Sequence, residues 1–224
     1  MRTSCSRTGT VKLHTAYPDR FVAELCPYQE LDDRENWSKK PRVLSFLAER
    51  IATGRYKGLG ELHILKRSEV DWDMIAKVVA LARQHELFLH IHAGADVIER
   101  LFAIAPDVRI LWAHAGFYEG AATISGMLDK YPSLTAELSL RAPNIYPALA
   151  EDIGADWRTL FERHQDRIVL GSDTYINLAW VEYDEIMDSH RRWLSRLPRA
   201  IAEKIAWRNA KTFFALPDTL FLHR

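Results

Sequence analysis

LFLHIHAGAD, residues 87–96, carries an apolar run into two histidines one residue apart and then into a small-residue turn. On a strand, His90 and His92 share one face, and if that face is interior both need partners. The residues around them are apolar, so the run is covered on both sides, as parallel strands are when helices pack against them.

Five further runs read the same way: RFVAELCPY (20–28), KGLGELHIL (57–65), VRILWAHA (108–115), LTAELSL (134–140) and RIVLGSD (167–173). Helical patterns separate them. Pro41 followed by Leu44, Leu47 and Ile51, with Gly54 beyond, has the proline start and glycine stop of a helix. Asp71 or Asp73 caps a second helix with a stripe of Ile75, Val78, Val79 and Ala82. Asp96 caps a third, carrying Ile98, Leu101 and Phe102, and Asp156 a fourth, carrying Trp157, Leu160 and Phe161. Two more helical stretches follow the last strand, at roughly 179–195 and 199–214. The charged stretch DDRENWSKK (32–40) reads as a solvated loop. This βαβα order gives an α/β fold, a parallel sheet with crossover helices.

Composition narrows the class. A chain of 224 residues, 48% hydrophobic and 27% charged, buries a sizeable core as a single domain over 1–224, with residues 1–16 irregular. The 30 basic and 30 acidic residues cancel, which argues against nucleic acid or an anionic membrane as partner. Cys5 and Cys26 are too few for a disulfide framework and form no Cys-x-x-Cys pair, which fits a reducing compartment. The opening MRTSCSRTGTVKLH has no apolar signal core, and no run reaches membrane-spanning length. A soluble, cytoplasmic protein is expected.

In three of the runs a polar residue arrives at the C-terminal end: His92 in HIHAG, His114 in WAHAG and Asp173 in GSD. Glu61, with His63 in GELHI, fits as a fourth contribution. In a parallel α/β barrel the catalytic groups come from the C-terminal ends of different strands, so the shared placement says more than any one residue. Imidazoles and a carboxylate suit Zn²⁺ or a similar divalent ion, which makes hydroxide available at neutral pH. Asp173 is the candidate general base, its bland alternative being a helix or turn cap, and His114 either binds the metal or polarises the substrate oxygen. His85, His164, His190 and His223 read as surface residues, and Trp112 as core. Arg141, directly after TAELSL, is a candidate for binding a substrate carboxylate. Tyr118, Tyr175 and Trp180 are candidates to line the pocket.

The succession HIHAG, ILWAHAGF, TAELSL and RIVLGSDTY, followed by IAEKIAWRNAKTFF and preceded by PDRFVAELCPY and YKGLGELHI, resembles the amidohydrolase-related branch of the amidohydrolase superfamily from about Tyr17 to Phe214. The resemblance implies a (β/α)₈ TIM-barrel-like fold holding one or two divalent metals. It implies His92 as the fifth-strand metal ligand, His114 as the sixth-strand histidine near metal and substrate, and Asp173 as the eighth-strand aspartate that binds metal and moves the proton. Glu61 falls on the matching fourth strand as a further metal ligand.

One departure stands out: that family opens with a strand ending in His-x-His, and none precedes residue 57, where His14 stands alone. By this count the chain carries strands three to eight and is N-terminally truncated, with exposed sheet edges that call for pairing, for instance as a homo-oligomer. The metal, zinc or else manganese, would then be weakly bound. The implied activity is a metal-dependent hydrolase, in which metal-activated water attacks a small amide, ester or lactone. The alternatives are a decarboxylase on the same scaffold, in which Arg141 matters more, and a non-catalytic degenerate barrel fragment.

Overall fold

The computed structural model describes residues 9–217. Six strands form one sheet in sequence order: β1 (Glu24–Leu25), β2 (Gly58–His63), β3 (Phe88–His92), β4 (Ile110–Trp112), β5 (Leu134–Glu137) and β6 (Ile168–Val169). Every neighbouring pair is parallel. The expected strands are therefore all present, but most are shorter than their apolar runs, because the chain leaves the ladder to turn toward the next helix.

Alternation along the strands sorts their side chains into two layers. Leu89, Ile91, Ile110, Trp112, Leu134, Ala136 and Ile168 join the large core, where the outer helices Arg42–Ile51, Trp72–Gln84, Ala95–Ile104, Ala121–Lys130 and Ala155–His164 bury Val43, Leu47, Ile75, Val78, Ile98, Leu101, Ile124, Leu128, Leu160 and Phe161. On the opposite side Phe88, Leu111 and Val169 form a smaller cluster against Val22, Phe213 and Phe214. Phe88, His90 and His92 thus step along one face of β3, from an apolar floor to a polar mouth.

Several local expectations are corrected. Asp71 caps Trp72–Gln84 by accepting from the amides of Asp73 and Met74, but Gly94 and Gly154 are the N-caps of Ala95–Ile104 and Ala155–His164, and Asp96 and Asp156 lie inside their first turns. The stretch at 179–195 is two helices, Asn177–Val181 and Tyr183–Leu194. His164 and His190 are buried, not surface: His164 meets Ser125 Oγ at 2.9 Å, and His190 accepts the indole N–H of Trp193 at 3.1 Å. His223 lies outside the described residues. Cys26 is buried, and Cys5 lies outside the described residues. Among the described residues, no helix is long and apolar enough to cross a membrane.

The segment 32–40 departs furthest from its expectation as a solvated loop. It forms a short helix, Asp33–Asn36, and a 3-10 turn, Trp37–Lys39, with Asp33, Trp37 and Ser38 buried. Asp33 accepts from the amides of Gln29 and Glu30 and from Lys40 and Arg42, so its charge is neutralised from two sides. The Trp37 indole donates to the His63 carbonyl at 2.8 Å, which fastens the segment to the end of β2.

Candidate active site

At the C-terminal ends of the strands, Glu61, His92 and His114 each bring one donor atom to within 4.8 Å of the others. Glu61 Oε1 lies 2.7 Å from His92 Nδ1 and 3.4 Å from His114 Nε2, and Asp173 Oδ2 lies 3.9 Å from the same His114 nitrogen. They open into a cavity of about 540 Å³ whose lining also includes Tyr28, Arg34, His63, His90, Phe117 and Tyr175. Glu61, His92, His114 and Asp173 are brought together; Arg141 is not.

Backbone geometry aims two of these side chains. His114 and Asp173 sit at φ 54° and φ 48°, left-handed values that cost a non-glycine residue on the order of 1–3 kcal/mol and recur at functional sites. After β4 the chain turns through Ala113–Gly116, and the Trp112 indole pins the turn by donating to the Ala93 carbonyl at 2.8 Å. Arg141 secures it from behind. Its guanidinium is buried, donates to the carbonyls of His114 and Glu119, and stacks over Trp157 at 5.2 Å. The expected substrate-binding role of Arg141 is corrected accordingly: it holds the turn that carries His114.

Beneath His114 lies a relay absent from the sequence reading. Ser139 Oγ donates to Glu137 Oε2 at 2.8 Å, so the Ser139 oxygen accepts the Nδ1–H of His114, also at 2.8 Å. Glu137 accepts as well from the amides of His114 and Ser139. The Nδ1 side of the ring is thereby held by Ser139, which leaves Nε2 facing Glu61 and Asp173. A carboxylate inside an apolar strand such as TAELSL signals a need for buried donors, and that signal pointed to Glu137.

His63 is arranged differently. Tyr28 O–H donates to the Glu61 carbonyl at 2.7 Å and accepts from the His63 amide, so it faces His63 Nδ1 as an acceptor at 2.7 Å. His63 Nε2 accepts from Arg34 Nε and Nη2 at 3.2 and 3.1 Å. Both ring nitrogens are engaged, which leaves none for a metal. Deeper in, His90 Nδ1 pairs with Glu24 at 2.9 Å.

Electrostatics follow from these contacts. Burial pushes Asp173 up to about 6, opposed by His114 and reinforced by Glu61. Burial works against the charge on Glu61, but hydrogen bonds from His114 and His92 outweigh it and hold the carboxyl far below the usual range. Burial opposes protonation of His114, yet Glu61, Glu137 and Asp173 raise its pKa. His63 is pushed down to about 4, first by burial. For His90, burial is overcome by Glu24 and the value rises to about 9.

Two carboxylates, Glu61 and Asp173, converge here on two imidazoles, His92 and His114, and a cation would balance their charge. Two imidazoles and two carboxylates are the donor chemistry that zinc and related divalent ions take. The residues fit such an ion: Glu61, His92 and His114 would hold it, with Asp173 beside them. Of the aromatic candidates, Tyr175 lines the cavity, whereas Tyr118 and Trp180 stand out in solvent and are absent from its wall.

A parallel sheet with this constellation at its C-terminal ends defines a hydrolase or related TIM-barrel enzyme. The amidohydrolase family model matches residues 12–216, and the chain belongs to that family, whose members typically hold a divalent metal. Two solved structures share the fold. An uncharacterised TIM-barrel protein of Bordetella bronchiseptica, Bb4693, aligns at a TM-score of 0.68 and 15% identity, over 94% of this chain and 72% of its own. ATU3138 of Agrobacterium tumefaciens aligns at 0.54 and 13%, over 96% and 75%. No curated protein matches the chain.

Proposed function

We propose that the protein is a metal-dependent hydrolase of a small amide, ester or lactone. The observation that carries the reading is the convergence of Glu61, His92 and His114 within 4.8 Å, with Asp173 beside them on the cavity wall. A divalent ion held there would supply an acidified water and a Lewis acid for the carbonyl oxygen. Asp173 takes a proton from the attacking water at its carboxylate and returns it to the leaving nitrogen or oxygen as the acyl bond breaks. The new carbon–oxygen bond leaves one product as an acid. His114, its tautomer set by Ser139, keeps Nε2 turned toward the reacting centre. Phe117 and Tyr175 add apolar surface to the cavity wall.

The test is metal content. Zinc-treated, desalted protein should retain near one ion per chain by mass spectrometry, His92→Ala should retain far less, and the zinc-loaded chain should release acid from a panel of lactones, esters and amides. Wild-type protein that keeps no metal would refute the reading.

A further inference from the structure

Arg34 is the lone lysine or arginine on the cavity wall, and no carboxylate pairs with it among the described residues. The acids beside it in sequence serve other cations. Asp33 is taken by Lys40 and Arg42, and Asp32 by Lys40 at 2.6 Å. The segment that carries Arg34 is fastened by the buried Asp33 and by the Trp37 indole on the His63 carbonyl, so the guanidinium is presented from a built wall.

Its contact with His63 uses one edge only. Nε and Nη2 converge on a single ring nitrogen at 3.2 and 3.1 Å, which leaves the other edge, the Nη1 and Nη2 pair, without a partner among the described residues. Two parallel N–H groups match the two oxygens of a carboxylate. A phosphate would want more free cationic donors, and among the described residues the wall offers no second lysine or arginine, while His90 is taken by Glu24. The His63 ring that Arg34 contacts stacks on His92 with centroids 4.7 Å apart, so Arg34 and the cluster of Glu61, His92 and His114 lie on either side of one imidazole in the same cavity.

We propose that Arg34 is the substrate-anchoring residue of this site and that the substrate carries a carboxylate a few bonds from its hydrolysed carbonyl. This rests on the hydrolase reading for the word substrate, but the anion site itself does not need the metal.

The experiment is calorimetric titration of the full chain, stripped with chelator, against succinate and against inorganic phosphate. Wild-type protein should bind succinate, and more tightly than phosphate. Loss of a charge-assisted pair should weaken succinate by about tenfold or more in Arg34→Gln. Arg34→Lys should recover part of the loss, and Arg83→Gln, on the distant surface, should match wild type. No succinate binding by wild type, equal affinity in Arg34→Gln, or tighter binding of phosphate would overturn the proposal. Zinc uptake, measured in parallel, separates the two readings. A chain that binds succinate through Arg34 but keeps no zinc refutes the hydrolase and retains the anion site. Full zinc uptake with no succinate binding does the reverse.

Discussion

His114 owes its position to three residues of one neighbouring stretch, the end of β5 and the turn after it: Ser139 fixes its ring, Glu137 its amide, and Arg141 its carbonyl. Ser139→Ala removes the acceptor for Nδ1–H and frees the tautomer. Zinc affinity should then fall about 10–100-fold, as loss of a ligand's outer partner does elsewhere, and competition with a chromophoric chelator measures it. Asp173→Asn keeps volume and polarity but cannot take a proton. Its acid release should drop about 10²–10⁴-fold while Glu61, His92 and His114 still hold zinc, a split visible by assaying turnover and metal content on one preparation. His92, His114, Asp173 and Glu61 were legible in the sequence because a titratable residue at the end of an apolar strand needs a reason. Arg141 was misread because its partners are backbone carbonyls, which leave no trace in the order of residues. Ser139 was passed over because its contact with His114 crosses from one strand end to the next, and Glu137, though a carboxylate in an apolar strand marks a need for buried donors, because those donors lie on the neighbouring turn and strand end.

Among the elements, the wall at 32–40 shows where pattern reading runs out. Its composition is that of a solvated loop, and only the tertiary pairing of Asp33 with Lys40 and Arg42 makes its burial tolerable. Burial raises the Asp33 pKa, but the bonds from Arg42, Lys40 and the amides of Gln29 and Glu30 outweigh it and hold the carboxyl well below the ordinary range. The folded value is therefore depressed. The stabilisation is in place above the unfolded pKa of about 3.9 and is lost as pH falls through it toward the folded value. Asp33→Asn should be less stable than wild type at pH 7, and the gap should narrow near pH 3. Urea unfolding at the two pH values reads it, and a gap that stays constant would show that the Asp33 charge does not stabilise this wall. The strands and main helices, by contrast, were legible because their apolar periods of two and 3.6 are set locally.

At the scale of the whole molecule, the sheet order β1 to β6 leaves the first and last strands paired on one side only among the described residues. Each of those edge strands is only two residues long, and a short edge offers little template for further pairing. The sheet's inner apolar face is covered from within the chain. Phe213 and Phe214, at the end of the terminal helical stretch, meet Phe88 edge-on at 5.0 and 5.6 Å and close the floor formed with Leu111 and Val169. The sequence showed that stretch only as a terminal helix, because the face it covers is assembled from three strands far away in the chain. Phe213→Ala with Phe214→Ala should cost about 2 kcal/mol, less than the fully buried range because both rings keep some solvent contact. It should also raise binding of a hydrophobic dye. Urea midpoints and dye fluorescence together decide it. A large loss of stability with no added dye binding would mean that the floor collapses on itself when the rings are removed. Unchanged values for both would mean that this helix is not what shields the inner face of the sheet.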